Sequence, residues 1–219
     1  LLNALGGLDT PDSGAIQVGD YRLDQLSKGE LADMRLHNIG FVFQAYNLVP
    51  VLSARENVEF VMQVQGVSTT ERRQRSDAVL AEVGLAGLER RLPAELSGGQ
   101  QQRVAVARAI VSKPELVLAD EPTANLDSKS AAQLMALFVE LNVERKITFV
   151  IATHDTRVMG YARRLIRMRV GRVVSEEQPE PLAMDGGMRV SHLACTGLGG
   201  ARVVSSGAAC DAIPLCGRG

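Results

Sequence analysis

The chain has 219 residues, 46% of them hydrophobic, which is the size and composition of one ordinary domain with a sizeable core, or one domain plus a tail. Its 24 basic and 25 acidic residues leave a formal charge of −1, so no bulk charge draws it to nucleic acid or to an anionic membrane. No stretch approaches the roughly 18 uncharged apolar residues of a membrane helix, and Leu1-Leu2-Asn3-Ala4-Leu5 is no signal peptide, so a soluble protein is expected.

In chain order, Leu1, Leu2 and Leu5 recur at helical spacing until Gly6-Gly7 stops the run. A chain that starts without Met inside a helix reads most simply as a fragment. Pro11-Asp12-Ser13-Gly14 is a turn, Ala15 to Val18 a short strand and Lys28 to Met34 a short helix. The apolar Ile39-Gly40-Phe41-Val42-Phe43 predicts a buried strand with Gln44 at its end and a loop to Pro50. Ala54 to Gln65 and Thr70 to Val83 predict two helices, the second closed by Gly84. Ser97 opens another, Gln100 completing a capping box, and Lys113-Pro114 ends it. Residues 51–112 thus read as a helical subdomain inserted into an α/β body. Leu116 to Ala119 is a buried strand, Asp127 caps a helix through Glu144, and Ile147 to Ala152 is a second buried strand. Arg163 to Met168 and Arg172 to Ser175 predict a hairpin. Alternating strands and helices mean a mostly parallel sheet covered on both faces.

From 178 to 219 no periodicity is sustained, and the segment reads as a disordered tail. Gly197-Leu198-Gly199-Gly200 lacks the strand-then-helix context of a dinucleotide site. Cys195, Cys210 and Cys216 match no metal or redox spacing and read as incidental thiols.

Chemistry concentrates at strand ends. Asp120-Glu121 follows four apolar residues, which puts both carboxylates at the ligand edge of an open α/β sheet. Asp120 suits Mg²⁺, and Glu121 suits a general base or water-orienting group beside a terminal phosphate. Gln44 and His154 end strands at the same edge: the Gln44 amide oxygen could reach the metal or the attacking water, and His154 the γ-phosphate. Ser97-Gly98-Gly99-Gln100 offers backbone N–H groups, a hydroxyl and a helix N-terminus to phosphate oxygens. Capping explains Ser97 and Gln100 but not two successive glycines, which weaken a first turn.

Gln44, Leu96 to Gln100, Leu116 to Pro122, Ala124 to Asp127 and His154 stand in the order of the Q-loop, signature, Walker B, D-loop and switch histidine of ABC transporter ATPase subunits. The chain resembles that family over Leu1 to about Glu177, most closely its lipoprotein-release and macrolide-export group. The resemblance implies a P-loop NTPase-like three-layer α/β fold, incomplete at the N-terminus, with ATP and Mg²⁺ as cofactors. It implies catalytic Glu121, His154 and Gln44, metal-binding Asp120 and Gln44, and nucleotide-binding Ser97, Gly98, Gly99, Gln100 and Asp127. It further implies a head-to-tail dimer sandwiching two nucleotides, permease partners facing Ala45 to Arg55, and a place on the cytoplasmic side of the inner membrane through those partners. Nucleic acid is not an expected partner, because Arg163, Arg164, Arg167, Arg169 and Arg172 lack interleaved aromatics.

The sequence departs from the family in one large respect. G-x-x-x-x-G-K-[ST] is absent, and none of Lys28, Lys113, Lys129 or Lys146 follows a glycine. The isolated chain is therefore expected to bind ATP weakly or not at all. Val170-Gly171 stands where the family commonly has Asp-Gly. The alternatives are a degenerate non-catalytic ABC subunit and a non-transport ABC ATPase. The short stretch between Gln44 and Leu96, and the single cassette, speak against the latter.

Overall fold

A computed structural model describes residues 1–179 and 190–196. A parallel sheet is laid down by short, almost wholly apolar strands: β3 (Ile39–Val42), β4 (Leu116–Asp120) and β5 (Thr148–Ala152). Such runs suit strands buried on both faces. Ahead of them come the single-turn helix α1 (Leu2–Leu5), the antiparallel pair β1 (Gln17–Val18) and β2 (Tyr21–Arg22), and helix α2 (Lys28–Asn38). Three helices, α3 (Ala54–Val64), α4 (Thr69–Glu82) and α5 (Gly98–Ile110), fill the interval between β3 and β4. Helix α6 (Ser128–Arg145) joins β4 to β5, and the short α7 (Thr156–Met159) leads to the antiparallel hairpin β6 (Arg164–Arg169) and β7 (Arg172–Glu177).

The helix starts follow from their first residues. Ser27, Ser53 and Ser97 each cap with a reciprocal Glu or Gln three residues on, Ser68 accepts from the Glu71 N–H, and Asp127 accepts from Lys129 and Ser130. α2 runs to Asn38, four residues beyond the predicted Met34, and delivers the chain directly into β3. β3 ends at Val42, so Gln44 lies in the loop two residues beyond the strand rather than at its last position.

Two apolar layers enclose the sheet. On one face α3 to α6 pack Val58, Met62, Leu80, Ile110 and Leu134 against Val117, Phe149 and Ile151, with Phe138 stacked on Phe149 at 4.7 Å. On the other, Leu5, Val18, Leu23 and Met34 cover Ile39, Leu118 and Val150. α5 comes unusually close to β3: a Cβ on Gly40 would sit 2.4 Å from the Ala109 carbonyl, so only glycine lets the helix rest on the strand.

The expectation of a structureless tail fails for one segment. Residues Val190–Thr196 form β8, which lies between β5 and β6 and runs parallel to both. The sheet order is β3-β4-β5-β8-β6-β7. The strand exists through backbone pairing on both sides, which leaves no periodic trace in the sequence. Cys195 falls within β8, whereas Gly197 to Gly200, Cys210 and Cys216 lie outside the described residues.

The hairpin turn between Arg169 and Arg172 places Val170 at φ 46° and Gly171 at φ 72°. Both positions suit a mirror-image two-residue turn, for which Asn-Gly or Asp-Gly is preferred. A β-branched residue there is strained, and Val170 is 76% exposed, so it repays little through burial. Val170→Asn is expected to stabilise the protein by roughly 0.5–1 kcal/mol. A thermal melt checks this; an unchanged or lower Tm would contradict it.

Candidate nucleotide site

The register Asp120↔Ala152 brings the end of β4 level with the end of β5, so Glu121 faces Thr153 and His154. Glu121 turns the chain at φ 44°, a disfavoured conformation for a side-chain-bearing residue, and its N–H donates to the Ala152 carbonyl at 2.9 Å. Its carboxylate is tied on both oxygens. Oε1 accepts from the His154 backbone N–H at 3.1 Å and lies 2.6 Å from His154 Nδ1; Oε2 accepts from the buried Thr153 hydroxyl at 3.2 Å. The Glu121 hydrogen bond, then its negative charge, holds the His154 pKa above its ordinary value.

The sign follows. A histidine whose folded pKa is raised contributes stability in full below its unfolded pKa and loses it as pH rises through the folded one. The His154 ring resonances are expected to titrate above the ordinary 6.5, and in Glu121→Gln to move back down toward it. An NMR titration that shows no downward move would contradict the pairing.

Asp120 ends β4, and among the described residues its carboxylate has no hydrogen-bond or ion-pair partner. Burial pushes its carboxyl up, and the neighbouring Glu121 charge adds to this. An unpaired carboxylate in a like-charged setting is a place that a cation relieves. Among the described residues no three His, Cys, Asp or Glu side chains form a cage.

Gln44 is exposed, and its carbonyl accepts from Asn125 Nδ2 at 2.9 Å. Ser97 caps α5: the Gln100 N–H donates to Ser97 Oγ at 3.3 Å, and the Ser97 N–H donates to Gln100 Oε1 at 2.8 Å. The two glycines have a packing reason that the sequence did not disclose. A Cβ on Gly98 would meet the Tyr46 hydroxyl at 3.0 Å, and one on Gly99 the Ser130 hydroxyl at 3.3 Å. Asp127 is spent locally: Oδ1 accepts from the Lys129 and Ser130 N–H groups, and Oδ2 from the Ser130 hydroxyl at 2.6 Å. The contacts of Thr153, Asn125 and Arg108 are not legible in the sequence, since side chains that grip a carboxylate or backbone carbonyl across long loops leave no pattern that marks the contact.

The profile of the ABC transporter family matches residues 1–124. The chain belongs to the ABC transporter family.

The macrolide export ATP-binding/permease protein MacB of Sodalis glossinidius is 45% identical over 185 residues, which are 84% of this chain and 28% of that protein. The lipoprotein-releasing system ATP-binding protein LolD of Idiomarina loihiensis is 42% identical, covering 81% of this chain and 78% of its own length. The chain therefore spans just over a quarter of MacB and about four fifths of LolD. Among solved structures, the dimeric ATP-binding cassette MJ0796 in a post-hydrolysis state bound to ADP and Pi superposes with a TM-score of 0.73 at 41% identity, covering 81% of this chain and 78% of that one. As a member of the ABC family, this chain has the α/β fold of its P-loop NTPase cassettes. Among the described residues no helix is long and apolar enough to cross a membrane.

Proposed function

We propose that this chain is an ATP-hydrolysing subunit of an ABC transporter, driving export or lipoprotein release through membrane-spanning partners. The observation that supports this most is the Glu121 carboxylate, held between Thr153 and His154 at the carboxyl edge of β4 and β5. From there Glu121 orients and deprotonates a water in line with the γ-phosphate, and His154 shares the arriving proton and the developing phosphate charge. Asp120, with the Gln44 amide oxygen, would hold Mg²⁺, which would neutralise phosphate charge. Ser97 to Gln100 serve a nucleotide held by a second cassette, which gives a head-to-tail dimer, and Asp127 with its loop lies along that dimer seam. A cleft of about 430 Å³, lined by Leu8, Phe41, Phe43, Asn47 and Val61, takes the permease contact together with Ala45 to Arg55. The working site is then the cytoplasmic face of the membrane.

The sequence carries no G-x-x-x-x-G-K-[ST], so phosphate binding requires that loop from elsewhere. The isolated chain is expected to show no micromolar ATP binding by calorimetry. Grafting a strand and phosphate loop ahead of Leu1 is expected to bring MgATP turnover, and Glu121→Gln in the grafted chain to lower kcat about 10²–10⁴-fold. A grafted Glu121→Gln chain as fast as its parent would overturn the role given to Glu121.

A further inference from the structure

The loop that leaves β3 is held by side chains on three other segments. Asn125 Nδ2 donates to the Gln44 carbonyl at 2.9 Å. Farther on, Asn57 Nδ2 donates to the Val49 and Leu52 carbonyls, while its Oδ1 accepts from the Val49 N–H at 2.8 Å. Between these lies the least comfortable stretch of backbone. Tyr46 at φ 59° and Asn47 at φ 49° are successive left-handed residues that both carry side chains. Their carbonyls converge on one group: Arg108 donates from Nη2 to the Tyr46 carbonyl at 2.9 Å and from Nη1 to the Asn47 carbonyl at 2.5 Å.

Arg108 is an unusual choice for a loop clamp. Among the described residues it has no carboxylate partner, and burial lowers its pKa from the ordinary arginine value. A half-buried guanidinium that donates to two successive carbonyls is tied to that loop, because its donors are planar and fixed in a fork. It is also firmly based. The next residue, Ala109, is the one whose carbonyl presses on Gly40 of β3. At the other end of the same helix, about 15 Å away by helical rise, are Ser97 and Gly98, with the Tyr46 hydroxyl beside Gly98.

We propose that Arg108 is a positioning residue that fixes the Gln44–Asn47 loop to α5, so that Gln44 and the Ser97–Gln100 turn move as one body. This rests on the reading of Gln44 as a metal- or water-facing residue. On that reading Arg108 touches neither nucleotide nor metal; it sets where Gln44 stands relative to the helix that serves the second cassette.

Amide hydrogen exchange of the full 219-residue chain tests this. In Arg108→Gln the Tyr46 and Asn47 amides are expected to exchange at least about tenfold faster, with α5, β4 and the Val49 amide within about twofold of wild type. Arg108→Lys, which keeps the charge but not the fork, is expected to fall between. A loop as protected in Arg108→Gln as in wild type overturns the proposal, as does an increase spread evenly over β4 and α5. If Arg108→Gln does not fold, the same comparison on Arg108→Lys decides. Gln44→Ala separates the two readings, since the clamp acts on backbone and its loop protection is expected unchanged. If the loop responds to Arg108 while Gln44→Ala leaves turnover of the loop-grafted chain unaltered, the role of Gln44 fails and the clamp stands.

Discussion

A chain ended at Glu177 is expected to lose cooperative folding. β8 is hydrogen-bonded on both sides, with register pairs Phe149↔Val190 to Ala152↔Leu193 against β5 and Arg164↔Ser191 to Arg169↔Thr196 against β6. Removing it opens the edges of β5 and β6 together. It also leaves the β6–β7 hairpin without its strand contact to β5, since β8 is the bridge between them. Backbone hydrogen bonds contribute about 0.5–1.5 kcal/mol each, so two ladders amount to much of the roughly 5–15 kcal/mol by which a domain is stable. Exposed parallel edges invite pairing between chains, so the truncated protein is also expected to associate. Calorimetry and sedimentation decide the matter. A monomeric 1–177 chain that melts cooperatively within a few degrees of the full chain would show that the β8 pairing carries little stability.

Ser97→Asp is expected to abolish turnover at a partner's site without unfolding this chain. Ser97 has two duties that one substitution can part. As a cap its oxygen accepts from the Gln100 N–H, and aspartate fills that place about as well, with a cost under ~0.5 kcal/mol. As a phosphate donor, however, it gives way to a carboxylate that repels the nucleotide. In a mixed dimer with a complete cassette, hydrolysis at the complete cassette's site is expected to fall about 10²-fold or more while the Tm of this chain holds. Unchanged turnover would remove Ser97 to Gln100 from that site.

The parts legible from sequence were those where burial and chemistry coincide along the chain. Leu116 to Ala119 and Thr148 to Ala152 are apolar because both sheet faces are covered, so their ends, and with them Asp120, Glu121 and His154, could be placed at one edge. Helix starts were legible at Ser97 and Asp127, which satisfy N–H groups only a few residues away. What stayed hidden acts across distance. Arg108 reaches Tyr46 across 62 residues and Asn125 reaches Gln44 across 81, each through a carbonyl that any residue type supplies. The two glycines after Ser97 drew attention to phosphate approach, yet the Tyr46 and Ser130 hydroxyls beside them give a second reason for small residues. β8 was missed because a strand's place between two others is decided by those neighbours.

That late strand has a kinetic side. Synthesis runs from the N-terminus, and β5 is complete at Ala152 whereas β8 begins at Val190. At about 5–20 residues per second, the intervening residues take seconds to be made. For that time the body of the sheet exists with a gap in its interior, and the hairpin already synthesised has nowhere parallel to dock. The final closure joins residues far apart in sequence, the slow kind of contact. Until β8 is made, any sheet already formed keeps the unpaired edge of β5 open to other chains.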